Sequence, residues 1–294
     1  MLDLLPLAAL PSLPTLEMAV VGHVEVATFL RVEDLPAAGE IAHARDWFDS
    51  AAGGGAVVAA QMARLTGPPV EFFTALGKDD VGEKALAELR ALGLHVHVAW
   101  RDAPTRRAVT FLDSRGERTI TVIGERLAPC AADPLPWERL ARCDGVFVTA
   151  TDPDGLLRAR EARILAATPR VRLPVLRQAA VVLEALIGSA SDPGEAYHRG
   201  DLVPHPRLYV GTLGQDGGLL EPGGRFAALP RSSPVRDTYG AGDAFAAGFT
   251  VGLAAEWDLA ATVSLGCHCG NAALDGWGPY RGQLGRERLA RSLS

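Results

Sequence analysis

Residues 237–253 change character at a single point, and that change restricts the fold more than any other stretch. Asp237-Thr238-Tyr239-Gly240-Ala241-Gly242-Asp243 is polar and glycine-rich, whereas 245–253 is apolar. Phe245, Gly248, Phe249, Gly252 and Leu253 recur at i, i+3, i+4, i+7 and i+8, one face of a helix. Such a helix begins among small residues, with its first N–H groups unpartnered and the positive end of its dipole outward. That end suits an anion such as phosphate. Asp243 places a carboxylate on the same first turn, where a plain anion site would not want one. Phosphoryl transfer asks for this pairing, with donors for the equatorial oxygens and a group that takes the nucleophile's proton. Gly240, Ala241 and Gly242 would supply the amides, since small residues let the backbone approach closely. Asp243, with an ordinary pKa of ~3.9, is ionised at neutral pH and available as a base. The same residues also suit an ordinary strand-to-helix turn in which Asp243 only partners the dipole.

The rest of the chain bounds the possibilities. At 294 residues it can bury one large core, and 48% hydrophobic with 22% charged content is that of a globular protein. A net charge of −6 argues against nucleic acid and against anionic membrane surfaces as partners. No apolar run is long enough to span a bilayer. Residues 1–16 are apolar and proline-punctuated, with Asp3 and no basic n-region, so a secretory signal is not expected and 1–17 reads as a loosely ordered extension. Cys267-His268-Cys269 has no second cluster to complete a zinc site, and buried free thiols in a reducing cytoplasm fit the four cysteines better.

Taken in order, 18–24 is a buried strand, and 26–34 and 39–49 have the mixed polarity of exposed strands. Gly53-Gly54-Gly55 opens a helix over 56–65, and 70–76 is a second apolar strand. The spacing predicts a helix over 80–92, capped by Asp80 with Glu83 three residues on. Alternation over 109–113 and 118–123, around Ser114-Arg115-Gly116-Glu117, is a hairpin signal. Beyond it the pattern predicts a strand over 145–149, a helix over 155–167 and a strand over 171–176. Another apolar element covers 182–187, with strands over 209–213 and 225–229 and helices over 245–253, 258–274 and 285–293. Strand, helix and strand in sequence indicate parallel βαβ construction. The first strand lacks G-x-G-x-x-G, which removes a dinucleotide-dehydrogenase reading.

Asp-Thr-Tyr-Gly-Ala-Gly-Asp-Ala-Phe resembles the signature of the ribokinase-like (PfkB) carbohydrate kinases, D-T-x-G-A-G-D-x-F, at every fixed position. Gly77 to Gly82 is similar to that family's G-x-D-x-x-G segment, Gly116-Glu117-Arg118-Thr119 to its lid hairpin, and Thr212-Leu213-Gly214-Gln215-Asp216-Gly217 to its nucleotide loop. These cover roughly residues 18 to 280 in order and spacing. The resemblance implies an α/β fold, a ribokinase-like three-layer α/β/α sandwich with a mainly parallel central sheet. A small β-sheet lid would come from about 26–49 and 106–124, the kinase domain running over 18–294. It implies ATP-dependent transfer to a hydroxyl of a small-molecule substrate, with Asp243 as catalytic base and the Gly240–Gly242 amides as anion hole. Thr212, Gly214, Gly217, Thr238 and Asn271 would border the nucleotide, Mg²⁺ would bridge its phosphates, and K⁺ would sit near Asp237. A homodimer through the lid is a further implication.

The departures from that pattern concern the acceptor. Sugar enzymes of the family carry Asn and Asp where this chain has Glu25 and Ala27. The glycine segment maps to Gly53, Gly54 and Gly55, but its substrate-binding Asn is Val57. A site lacking two hydroxyl-binding groups should bind free ribose or fructose poorly. The metal-associated N-x-x-E motif falls on Ser189 to Asp192, with Asp192 in place of Glu. Arg106 and Arg107 precede the lid hairpin; they suit either an acidic or phosphorylated substrate or a solvated face. A nucleoside kinase of the same fold, with an aromatic near Phe29 or Trp47, and a non-catalytic nucleotide-binding regulator remain alternatives.

Overall fold

Met18–Val21 form the first strand, β1, and all four residues are buried. The computed structural model describes residues 1–67 and 69–291. Met18 and Val20 enter one core and Ala19 and Val21 another, so the sheet is covered on both faces. This double burial explains why β1 reads as an unbroken apolar run rather than an alternating one.

Nine strands make the main sheet. Beside β1 lie β4 (Glu71–Gly77) and β5 (His95–Arg101) on one side. On the other side lie β8 (Gly145–Val148), β9 (Ile164–Ala167), β10 (Ala185–Ser189) and β11 (Tyr209–Thr212), all parallel to one another. The hairpin β12 (Gly218–Glu221) and β13 (Gly224–Phe226) adds an antiparallel edge. One face packs on α1 (Gly54–Thr66), α2 (Asp80–Ala91), α5 (Ala241–Ala254) and α6 (Leu259–Ala273), whose buried residues share a core with Phe72 and Phe147. The opposite face packs on α3 (Pro153–Ala159) and α4 (Leu173–Ala179), through Leu156 and Leu176. This is the expected three-layer sandwich.

A separate four-stranded sheet runs β3 (Asp46–Ala52), β2 (Glu25–Arg31), β6 (Arg107–Leu112), β7 (Arg118–Ile123). It is the expected lid, with its central pair β2 and β6 parallel. Ala27, Phe29 and Ala108 on its inner face pack with Val57, Tyr239 and Trp277, which ties the lid to the starts of α1 and α5.

Four expectations are corrected. The helix over 155–167 stops at Ala159, and Ile164–Ala167 is instead β9, held between β8 and β10. An alanine-rich quartet has high helix propensity, and burial on both faces overrides it. The strand over 171–176 is instead the start of α4, with Pro174 in its first turn, where a missing N–H costs nothing. The cap of α2 is Asp79, whose Oδ1 accepts the Gly82 N–H at 2.7 Å, rather than Asp80. The first seventeen residues are not loose. Leu10 and Leu16 are buried, Leu2 N–H donates to Arg225 O at 2.7 Å, and Leu5 N–H donates to Ser264 Oγ at 2.8 Å. The last helix, α7, spans Arg286–Arg291, and the expected continuation to Leu293 lies outside the described residues.

Candidate active site

The parallel strands all end on one edge, and the site is built there, as open α/β sheets favour. Gly240 precedes α5 with φ +75°, a left-handed conformation that glycine adopts at little cost. That turn swings Ala241, Gly242 and Asp243 into the first turn of the helix. Gly242 is exposed, with nothing within 4 Å of where a Cβ would sit. Asp243 lies opposite the start of α1, its Oδ1 3.0 Å from the place a Cβ on Gly54 would take. Burial pushes the Asp243 carboxyl up to about 6; Arg170 and Arg118 oppose that rise, while Glu195 and Glu25 add to it. A base tuned to that value is ionised at neutral pH and well matched to accept a hydroxyl proton.

A cleft of about 750 Å³ opens on one side of this turn. Thr212, Gly214, Gly217, Thr238 and Asn271 line it together with Ala241 and Gly242, so the residues expected to border the nucleotide share one surface. The lid tip closes it through Arg115 and Glu117. Arg231, which sequence reasoning missed, donates to Asn271 O at 2.7 Å, to Asn271 Oδ1 at 2.9 Å and to Asp275 Oδ1 at 2.7 Å. It fixes the wall that Asn271 presents. Arg231→Met is expected to raise KM for nucleotide on the order of tenfold, since charge-assisted hydrogen bonds are lost. Titration of ATP against wild type and variant measures this; equal KM values would remove Arg231 from the site.

The other side of Asp243 is polar. Glu25 is buried and accepts from Arg106 Nε at 3.0 Å, with the Tyr239 hydroxyl 3.5 Å from its other oxygen. Gly53 N–H donates to that same hydroxyl at 3.3 Å. His23 is buried and its ring is held neutral, chiefly by burial and then by Arg126, Arg106 and Arg170; its Nδ1 lies 3.4 Å from Thr149 Oγ1. Arg106 lines the adjoining cleft, whereas Arg107 is exposed and lines neither cleft. Val57 is fully buried, and its Cγ1 would be 2.9 Å from a Cβ on Gly240, so it packs behind the glycine turn that starts α5. Ala27 is likewise fully buried. Phe29 is buried against Phe48 and Tyr239, and Trp47 is 62% exposed.

Asp192 is bound to Arg170 Nη2 at 2.8 Å and to the Gly194 N–H. The carboxylate that reaches inward is Glu195, which is buried, accepts the Ser189 N–H at 2.9 Å and pairs with Arg170 Nε. Neither Glu195 nor Arg170 stood out in the sequence, because both follow prolines in segments with no periodic pattern. Asp237 is buried, with Oδ1 accepting Tyr239 N–H and Oδ2 accepting Gly278 N–H, each at 2.9 Å.

The pfkB carbohydrate kinase family model matches residues 15–193 and 195–281. The chain belongs to the pfkB family. Among characterised relatives, this pfkB kinase is 28% identical over 267 residues to the ATP-dependent ribose-1-phosphate kinase of Halopiger xanaduensis, covering 85% of this chain and 88% of that one. Its fold is that of the ribokinase from Thermotoga maritima, with TM-score 0.75, 20% identity, and 95% and 99% of the two chains covered. The adenosine kinase of Sinorhizobium meliloti superposes equally well, with TM-score 0.75, 18% identity, and 96% and 100% covered. As a member of the family, this chain is a carbohydrate kinase, a phosphotransferase acting on a hydroxyl.

Proposed function

We propose that this pfkB kinase phosphorylates a sugar hydroxyl with Asp243 as general base, and that Ala241 and Gly242 present the amides of the anion hole. The observation that carries this reading is Asp243 on the first turn of α5, directly after Ala241 and Gly242, which line the first cleft, and under the charge of Arg170, which lines the second. The acceptor oxygen attacks the γ-phosphorus of ATP as the bond to the β–γ bridging oxygen breaks. The hydroxyl proton passes to Asp243 Oδ, and ADP leaves. The lid excludes water from the transfer, which limits hydrolysis of ATP.

A sugar is favoured over a nucleoside because neither Phe29 nor Trp47 offers a free aromatic face towards Asp243. The relative named a ribose-1-phosphate kinase makes pentoses and their phosphate esters the first acceptors to test. Glu25, Gly53, Gly54 and Gly55 would border the acceptor, with Val57 setting the position of Gly240 from behind.

Asp192 and Glu195 offer the hard oxygen donors that Mg²⁺ requires, directly or through water. Mg²⁺ held there would supply positive charge against the phosphates of ATP. Asp237 keeps lone pairs beyond its two backbone partners and has no cationic side chain on it among the described residues, which fits a K⁺ beside it. Trp47 and Ile123, exposed on the outer face of the lid, support a homodimer through that sheet, which sedimentation would reveal as twice the chain mass.

The test is ADP release with Mg²⁺, ATP and K⁺ over sugars, sugar phosphates, sugar acids and nucleosides. A sugar or sugar phosphate that is turned over supports the reading. Nucleotide binding with no transfer to any of them would favour a regulator and overturn it.

A further inference from the structure

Two imidazoles and a carboxylate meet at one edge of the main sheet, away from every residue discussed so far. β5 is the edge strand there, and its one strand neighbour is β4. The register sets Glu71 opposite His95 and Phe73 opposite His97. Side chains alternate along a strand, so these four stand on one face, the face on which Phe73 stacks with Trp137. His95 Nδ1 donates to Glu71 Oε1 at 3.0 Å, and His97 Nε2 donates to Glu71 Oε2. One donor atom from each of the three residues lies within 4.8 Å of the other two.

Packing fixes one imidazole and leaves the other room to adjust. The His97 side chain is 12% exposed, and its ring lies against Phe73 with centroids 4.7 Å apart. The His95 side chain is 50% exposed, with its ring 4.7 Å from that of His97. Arg139 also reaches this carboxylate, donating from Nη1 to Glu71 Oε1 at 3.0 Å. Its side chain is 47% exposed, so it can swing into solvent when a stronger partner claims that oxygen.

Two imidazole nitrogens and one carboxylate oxygen suit Zn²⁺, which takes such ligands tetrahedrally at about 2.0–2.2 Å and leaves a fourth place for water. Nitrogen donors select zinc over Mg²⁺, which prefers oxygen throughout. Donor atoms around such an ion are about 3.3 Å apart, and rotation of the exposed His95 side chain can close the difference. The Cys267-His268-Cys269 tract does not compete for the metal. Both thiols are buried, and His268 Nε2 lies 3.0 Å from Leu5 O.

We propose that Glu71, His95 and His97 bind one Zn²⁺ per chain, and that the ion fastens the edge strand β5 to β4. The ion takes the place of Arg139 on Glu71, and solvent on the His95 side supplies the fourth ligand. Glu71 and His95 are the first residues of their strands, whereas the candidate active site lies beyond the other ends. Six residues of strand separate Glu71 from Gly77, about 20 Å. The ion is therefore a structural one, distinct from any Mg²⁺ that accompanies ATP.

The experiment titrates ZnCl₂ into untagged full-length protein, stripped of metal with a chelator and dialysed, in a calorimeter with excess Mg²⁺. One ion per chain is expected, and zinc at about a hundred times its Kd should raise Tm by roughly 5–10 °C. His95→Gln and His97→Gln are each expected to weaken binding by on the order of 10² or more, since losing even a residue that only hydrogen-bonds to a ligand costs up to about 100-fold. His95 is exposed, so its variant tests the site even if the His97 variant folds poorly. Arg139→Gln is expected to bind zinc at least as tightly as wild type, because nothing then contests Glu71 Oε1. The proposal is overturned if zinc does not bind, if the His95 variant binds it as tightly as wild type, or if the Arg139 variant binds it more weakly. None of these outcomes alters the kinase reading, which rests on other residues.

Discussion

Asp243→Asn is expected to lower kcat by on the order of 10²–10⁴ while leaving the protein at least as stable as wild type. The first part follows from chemistry, since an amide cannot take the acceptor's proton. The second follows from linkage. Burial raises the folded-state pKa of Asp243 from 3.8 to about 6. A carboxyl raised in this way holds its proton longer in the native state than in the unfolded one. The resulting stabilisation is full below 3.8 and is lost as pH rises through about 6. At neutral pH the wild type therefore carries an ionised group that folding disfavours. The shift corresponds to up to ~3 kcal/mol at about 1.4 kcal/mol per unit. Partial exposure of the side chain to the cleft reduces this to about 1 kcal/mol. Asparagine removes that cost, so thermal unfolding should move up or hold. The same pKa predicts that wild-type kcat/KM falls about tenfold per pH unit below 6. A variant with near wild-type turnover, or a flat acid limb, would exclude Asp243 as the base.

Gly55→Ala is expected to be the most damaging of the small substitutions near the site. A Cβ there would lie 2.7 Å from His23 O, 3.0 Å from the Gly22 carbonyl carbon and 3.1 Å from His23 N. All three are backbone atoms, so no rotamer change relieves the clash and the start of α1 must move away from the end of β1. Overpacking of that kind costs about 3 kcal/mol, which lowers Tm by roughly 6–12 °C in a chain of this size. Activity should fall with it, because His23 and Glu25 follow β1 directly into the site. Gly54→Ala makes the contrasting case. Its Cβ would meet the Asp243 carboxylate at 3.0 Å, a side chain that can turn aside. Differential scanning calorimetry with parallel rate measurements should show a folded, impaired Gly54 variant and an unstable Gly55 one. Equal melting temperatures for Gly55→Ala and wild type would refute the packing argument.

The turn that we propose as catalytic was legible because its signals are local. A glycine-rich turn, a carboxylate on the first helical turn and a helical apolar face all lie within seventeen consecutive positions, 237–253. The wall proposed for the nucleotide is drawn from separate segments, and only the family resemblance named Thr212, Gly214, Gly217 and Asn271; Arg231, which meets Asn271 across 40 residues, carried no such signal. The acceptor side was largely hidden. Glu25 and Arg106 meet only when the lid closes β2 onto β6, and Glu195 turns inward only because Arg170 and the Ser189 amide hold it. Of the two adjacent arginines at the start of β6, the sequence pattern could not tell that Arg106 faces the cleft and Arg107 the outside. The misread elements β9 and α4 share one cause. Short segments of seven residues or fewer take their form from the neighbours that cover them more than from their own propensity.

The parallel pairing of β2 with β6 bears on how the enzyme is made. Glu25 and Arg106 are 81 residues apart, and the stretch between them contains β3, α1, β4, α2 and β5. The cover of the site is therefore non-local, and it pairs only after that intervening unit has been laid against β1. A nascent chain that has emerged as far as β5 holds a hairpin, β2 and β3, with its inner edge unpaired. That edge, like the edge of β1 that later takes β8, is exposed to wrong partners during synthesis. Early release or slow elongation before β6 would thus put solubility at risk before any catalytic residue has been made.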